Sequence, residues 1–395
     1  MTSTPTSDEI MQLLGGVIDP ELGSDIVELG MAKGAKVEDG IAYLHIDLTT
    51  EGCPLRAQIQ KDIRARILSL PGIERVKINW GVLSQDEKAE AMSKARFNVS
   101  QNAPDTEIPS TTKVIMVASG KGGVGKSSIT VNLAAGLASR GFTVGVIDAD
   151  IWGFSVPRML GLDDHLESKD KKIVPVEREV GDGLLKVVSM GFLVDKEESA
   201  LMWRGLMLNR AVQHFLQDVA WGEMDYLVID MPPGTGDVQM GLAKMLPRAE
   251  MIIVTTPAKV AQKVAVRVAN MGRNNYLRIV GVIENMSAFV TPDGERYEVF
   301  GSGGGAELAA EVGVPLLGRV PIEAAVASGG DDGEPAILNA GGPDGGPAAA
   351  ELASIVDTIV SELVPPVEMA GCSARMLDLA TAALDEFDAQ QAADS

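Results

Sequence analysis

The sequence predicts an α/β protein: a doubly wound, mostly parallel sheet, preceded by a small α+β domain. Three observations carry that reading. From residue 113 onward, short runs that are apolar throughout alternate with helical patterns. Strands apolar on both faces and separated by helices belong to a parallel sheet covered on both sides. Within the first 85 residues the periods are instead a mixture of two and 3.6, as in a small mixed domain. Finally, a glycine-rich stretch, "SGKGGVGKS" at 119–127, lies between one apolar run and one helical pattern.

The N-terminal elements follow in order. "DEIMQLLGGV" sets Ile10, Leu13, Leu14 and Val17 at helical spacing, and its glycines end the helix. "IAYLHIDLTT" alternates, with Ala42, Leu44, Ile46 and Leu48 on one face and Tyr43, His45 and Asp47 on the other. "CPLRAQIQKDIRARILSLPG" puts Leu55, Ile59, Ile63 and Ile67 on one stripe, and "RVKINWGV" alternates again. The polar stretch that follows predicts a short helix and then a linker. The expected boundaries are 1–85 for the small domain, 86–112 for the linker, 113–364 for the large domain and 365–395 for an acidic helical tail.

In the large domain the apolar runs are 114–119, 143–148, 225–230, 251–257, 278–285 and 314–321. "ELASIVDTIVSEL", 351–363, is an amphipathic helix suited to covering one face, and Pro365-Pro366 breaks the chain after it. In the tail, Met376, Leu379, Ala383 and Phe387 form a further stripe among acidic residues.

Composition narrows the functions. Charged residues make up 23 % of the chain, and 55 acidic residues against 34 basic ones leave a net charge of −21. That balance argues against nucleic acid or an anionic membrane as partner, because both are gripped by clustered Lys and Arg. Two cysteines, Cys53 and Cys372, build no disulfide framework. With no basic start or long apolar run visible, a cytoplasmic location is expected.

"GKGGVGKS", Gly120 to Ser127, has the G-x-x-x-x-G-K-S spacing of a phosphate loop, with a strand feeding it and a helix leaving it. Gly120, Gly122, Gly123 and Gly125 let successive amides, with those of Val124 and Ser128, turn inward around an anion. Lys126 would neutralise the outer phosphates, and the Ser127 hydroxyl would ligate Mg²⁺. "VIDADIWG" offers Asp148 and Asp150, and "LVIDMPPGTGD" offers Asp230 and then Gly234. Acids at strand ends line the crevice of such a sheet; the competing explanation is that each merely caps its own loop. The Pro232-Pro233 pair is expected to leave the Gly234 amide free for a γ-phosphate. These features together make the expected class a P-loop NTPase that binds ATP with Mg²⁺.

The same residues carry a resemblance. "KGGVGKS", "DADIWGFSVPRMLG", "DMPPGTGD" and "NMS", in that order, resemble the Mrp/ApbC branch of the MinD/ParA-type P-loop ATPases. "IDPELGSDIVELGM" and "LTTEGCPL" resemble the SufT-like domain often fused in front of Mrp proteins. The resemblance implies an ATP-hydrolysing homodimer that sandwiches its nucleotides and acts in iron–sulfur cluster transfer to client apoproteins, or with assembly factors. It implies that Lys121 reaches across the dimer to the other subunit's nucleotide. It also implies that Asp150 orients the attacking water, that Asp230 holds magnesium and that Asn285 recognises adenine. A MinD/ParA-like nucleotide-gated switch that binds no cluster is the alternative.

This chain departs from the family pattern in one place. Mrp/ApbC proteins commonly carry a C-x-x-C after "NMS", whereas here Thr291 stands where the first cysteine would be and no C-x-x-C exists anywhere. Oxygen ligands do not replace soft sulfurs, which puts a cluster bound by this chain in doubt. Cys53 precedes Pro54 at an expected helix start, where the local field favours a thiolate; it is either a functional thiol or a small buried side chain. No zinc or catalytic role is expected of His45, His165 or His214, which are scattered.

Overall fold

In this computed structural model the described residues are 5–19, 22–50, 56–101, 104–150, 153–163, 166–169, 171–193, 205–291, 295–342 and 345–366. Cys53, Cys372, His165 and the acidic tail therefore lie outside the described residues. The chain divides into two units, Met1–Ala103 and Pro104–Ser395.

In the first unit, α1 (Ser7–Leu14), β1 (Ala32–Glu38), β2 (Ile41–Leu48), α2 (Arg56–Ile67), β3 (Arg75–Val82) and α3 (Gln85–Gln101) follow one another. The sheet order is β1-β2-β3, with β1 antiparallel and β3 parallel to β2. The alternation read in 41–50 holds: Ala42, Leu44, Ile46 and Leu48 are buried, as is the α2 stripe Ile59, Ile63 and Ile67. β1, "AKGAKVE", had no apolar alternation to announce it; it is a half-exposed strand completed by its neighbour.

The division between the units falls inside the stretch expected as linker, and the short helix expected at its start is a 17-residue one that fills most of it. Its cause is local. Ser84 and Glu87 form a reciprocal cap, with the Ser84 amide donating to Glu87 at 2.8 Å. Ala91 and Ala95 then give the helix a small buried face. Small side chains make a weak stripe, which is why the periodicity understated it.

The second unit runs β4 (Lys113–Ser119), α4 (Lys126–Ala138), β5 (Thr143–Asp148), α5 (Val156–Met159), β6 (Glu167–Lys169), β7 (Lys172–Val174), β8 (Val176–Val180), β9 (Gly183–Ser189), α6 (Gly205–Gln217), β10 (Tyr226–Asp230), α7 (Asp237–Met245), β11 (Glu250–Thr255), α8 (Lys259–Asn274), β12 (Arg278–Val290), β13 (Arg296–Tyr297), α9 (Gly304–Val312), β14 (Leu316–Ile322), α10 (Ala324–Asp332) and α11 (Pro347–Thr358). All six apolar runs are strands of one sheet, ordered β13-β12-β11-β4-β10-β5-β9-β8, with β14 beside β12. The pairings among β4, β5, β9, β10, β11, β12 and β14 are parallel; β8 and β13 pair antiparallel.

Two cores lie on the two faces. Val114, Met116, Ile229 and Ile253 pack with α6, α7, α8 and α9, whereas Ile115, Val117, Val228 and Val254 pack with α4 and α11. That is the doubly wound arrangement. β8 and β9 were absent from the sequence reading. β9 extends the parallel part beyond β5, and its last residue, Ser189, pairs with Asp148 at the end of β5.

Candidate nucleotide site

The site forms where β4, β5 and β10 end side by side. β4 runs straight into the glycine loop, and Asp230 and Asp148 are register partners at the last position of β10 and β5. α4 begins at Lys126 with Gly125 as its cap in the left-handed region, φ 78°, and no side chain bonds the helix start. Its first amides, through Ser128, thus remain available to an anion, and the helix dipole adds roughly half a positive charge there.

The four loop glycines, expected to share one role, divide into two kinds, Gly120 and Gly125 packed from within and Gly122 and Gly123 open. Gly120 is packed from within: a Cβ there would lie 2.5 Å from the Ala265 backbone nitrogen of α8. Gly122 and Gly123 are instead exposed at the lip of the loop, and a Cβ on either would meet nothing within 4 Å. Gly123 needs glycine for its torsion, φ 79°. At Gly122 no contact among the described residues requires glycine; the bare backbone there leaves the lip open for a ligand to approach.

Beneath the loop, three side chains converge on one buried carboxylate. Lys126 Nζ donates to Asp230 Oδ1 at 2.6 Å, Ser127 Oγ to Oδ2 at 2.6 Å, and Thr130 Oγ1 to Oδ1 at 2.8 Å. Asp230 is fully buried, so such an anion is tolerable only when paired and hydrogen-bonded. Thr130 escaped the sequence reading. Its signal was available: it lies one helical turn after Lys126, on the same face.

Asp150 Oδ2 is 3.7 Å from Lys126 Nζ. Burial raises its carboxyl above the usual range, against the opposing pull of the Lys126 ammonium. Asp148 is turned to another task. Its carboxylate accepts from the Ser155 and Val156 amides at 3.2 and 3.3 Å and from Ser189 Oγ at 3.0 Å, with the Asp150 amide 3.2 Å away. It fastens the loop that carries Asp150, the capping role left open beside the binding role. Burial, then the neighbouring Asp230 carboxylate, push Asp148 up to about 7.

Two expected contacts are occupied from within the protein. The Gly234 amide, expected to be free, donates to the Ser119 carbonyl at 2.9 Å, and Gly234 itself holds a left-handed φ of 92°. Asn285, expected at an adenine, sends Nδ2 to the Val124 carbonyl at 3.0 Å and so ties the middle of β12 to the loop. Lys121 is exposed, and its head group has no ion pair among the described residues. Thr291 closes the turn after β12, with its hydroxyl accepting from the Glu295 amide at 3.1 Å.

Among the described residues no group of three or more His, Cys, Asp or Glu side chains is placed to hold a metal. Ser127 and Asp230 do fit magnesium. They are hard oxygen donors in mutual contact below an anion loop, and Mg²⁺ takes few protein ligands and completes its shell with phosphate and water. Also among the described residues, no helix is long and apolar enough to cross a membrane.

A glycine loop between a central parallel strand and its helix, with a lysine and a hydroxyl on a neighbouring strand's terminal aspartate, defines a P-loop NTPase. The family model for the NUBPL iron-transfer P-loop NTPase matches residues 110–360, and that for an iron–sulfur cluster assembly protein matches residues 7–80. The chain belongs to the NUBPL iron-transfer family of P-loop NTPases, with the assembly-protein domain in front. The iron–sulfur cluster carrier protein of Mycobacterium leprae is 42 % identical over 357 residues, covering 88 % of this chain and 91 % of its own. The carrier protein of Bacillus subtilis is 41 % identical over 319 residues, covering 80 % and 88 %. Among solved structures, the nucleotide-binding protein of Archaeoglobus fulgidus in complex with ADP is 35 % identical. The match covers 56 % of this chain and 86 % of that one, with a TM-score of 0.48.

Proposed function

We propose that this chain is a magnesium-dependent ATP hydrolase that works as a homodimer in the cytoplasm and carries iron–sulfur clusters to apoproteins. The observation that carries the nucleotide part is the convergence of Lys126, Ser127 and Thr130 on buried Asp230 beneath the glycine loop. The loop amides, those of Gly122 and Gly123 at its open lip included, grip the triphosphate together with Lys126, and Gly234 exchanges the Ser119 carbonyl for the γ-phosphate. Ser127 and Asp230 would hold magnesium, which when bound neutralises charge developing on the phosphate oxygens. Asp150, held in place by the Asp148-fastened loop, orients the attacking water. Lys121, exposed on the loop, is lent to the nucleotide of the second subunit, where an added cation stabilises the transferring phosphoryl group. Asn285, which holds the loop through the Val124 carbonyl, would recognise the adenine.

Clusters are the cargo. Thiols within the chain are limited to Cys53 and Cys372, so a homodimer would pool them or take ligands from its client, which the N-terminal unit would contact. One observation favours a second reading, a nucleotide-gated assembly factor that binds no cluster itself: Thr291 closes a turn where relatives of this pattern place a cysteine.

Anaerobic reconstitution with iron and sulfide separates the two. Visible charge-transfer absorbance and bound iron in the wild type, lost in Cys53→Ala or Cys372→Ala, support the carrier. Absence of both from the wild type, with ATP hydrolysis intact, supports the assembly factor.

A further inference from the structure

α8 carries a surface that the nucleotide site does not use. Lys259, Lys263 and Arg267 recur every fourth residue along its solvent side, so they form one stripe. Val260, 69 % exposed, stands among them. No head group of the three enters an ion pair or side-chain hydrogen bond among the described residues. Helix stability does not explain them, since the first turn holds no acid and Lys259 opens the helix where the dipole disfavours a cation. In a chain of net charge −21, an unpaired basic stripe is a feature that needs a partner.

We infer that the occupant of this face is the chain's own acidic C-terminal segment, residues 367–395. The complementarity is one-sided: the segment holds Glu368, Asp378, Asp385, Glu386, Asp388 and Asp394 against a single Arg375. Leu379 and Phe387, interleaved with those acids, match the exposed Val260. The described chain ends at the edge of the sheet where α8 ends, after Val364, which is buried in the core of the opposite face and whose carbonyl accepts from Tyr226 Oη at 2.9 Å. The Leu363 carbonyl accepts from Arg278 Nη1 at 3.3 Å, and Arg278 begins β12 four residues after α8 ends at Asn274. From that exit about eight extended residues span the roughly 24 Å of α8, and the acids from Asp378 to Asp388 lie within reach of Lys259 and Lys263. Tethering gives the segment an effective concentration on the order of millimolar, which a free acidic protein would have to exceed. The inference is independent of the nucleotide and cluster readings.

The test is zero-length carboxyl-to-amine cross-linking of the full chain at low salt, on an equal mixture of light and ¹⁵N-labelled protein read by mass spectrometry. Expected are links from Lys259 or Lys263 to Asp385, Glu386 or Asp388 within chains of one label. They are lost in Lys259→Glu/Lys263→Glu/Arg267→Glu. They return with reversed polarity when that variant also carries Asp385→Lys/Glu386→Lys/Asp388→Lys, a swap that a merely misfolded surface would not reproduce. Links that mix labels, as from a second copy, overturn the inference. So does an absence of links in the wild type, including the case in which duplex DNA or phosphatidylserine vesicles bind the wild type and not the triple variant.

Discussion

Thr130 Oγ1 lies 2.8 Å from Asp230 Oδ1 and 3.0 Å from the Lys126 carbonyl one turn earlier. A hydroxyl between a helix backbone and a buried carboxylate fixes the direction of that carboxylate, and hence of the Ser127 hydroxyl on its other oxygen. Thr130→Val keeps the shape and removes the donor. Hydrogen bonds to charged groups contribute about 1.5–3 kcal/mol, and a loss of that order is expected in thermal unfolding of the second unit. A higher magnesium concentration for half-maximal turnover should accompany it. A wild-type melting curve and magnesium response would contradict the placement.

Gly120→Ala tests the seat of the loop. The added Cβ would press on the Ala265 nitrogen and the Val264 carbonyl carbon of α8, at 2.5 and 2.6 Å. Backbone atoms cannot swing aside as a side chain can, so a destabilisation of roughly 1–3 kcal/mol is expected, together with weaker nucleotide binding by calorimetry. Gly122→Ala is the contrasting case, since its Cβ enters open space: the melting temperature should hold while nucleotide binding weakens. Equal melting losses in the two variants would contradict the division between seat and lip.

Lys126→Ala should reduce ATP turnover by on the order of 10²–10³, the cost of removing one preorganised group that stabilises transition-state charge. It also strips a buried carboxylate of its cation, so the melting temperature should fall as well. Steady-state hydrolysis and calorimetry on the same preparation check both halves.

The first unit carries its own pH signature. The Lys33 ammonium, then the Ser84 hydroxyl and amide, hold the Glu87 carboxyl at about 2, below its ordinary 4.5. A carboxyl depressed by folding contributes stability above its unfolded value, and that contribution is lost as pH falls from about 4.5 toward about 2. Urea midpoints measured from pH 6 down to pH 2 should therefore fall more steeply for the wild type than for Glu87→Gln. Parallel curves would show that the cap contributes nothing.

The parallel sheet was legible because burial on both faces writes itself into the sequence as apolar runs; β4, β5, β10 and β11 are of that kind, whereas β14, with exposed Arg319 in its middle, is only half-buried. β1 and α3 were less legible for the opposite reason. A half-exposed strand rich in lysine and a helix whose buried face is alanine leave little contrast to read. At the site, Lys126, Ser127 and Asp230 follow from spacing and strand context. Thr130 has only its one-turn spacing from Lys126 to announce it, and Ser189 has nothing, because a hydroxyl on another strand becomes meaningful only when the fold sets a carboxylate opposite it. Gly234 and Asn285 show the complementary limit: spacing placed them at the loop, but their present partners, the Ser119 and Val124 carbonyls, are decided by backbone torsion and strand register.

The pairing of subunits through Lys121 is tested most directly by mixing two inactive proteins, Lys121→Ala and Lys126→Ala, and measuring ATP hydrolysis. If Lys121 serves the other subunit's nucleotide, each mixed dimer regains one complete site: its own Lys126 with its partner's Lys121. Random exchange between equal amounts should then restore about a quarter of wild-type turnover, since half the symmetric dimers become mixed and each has one working site. If Lys121 serves its own loop, no mixture contains a complete site, and turnover that stays at the level of the separate variants would contradict the account.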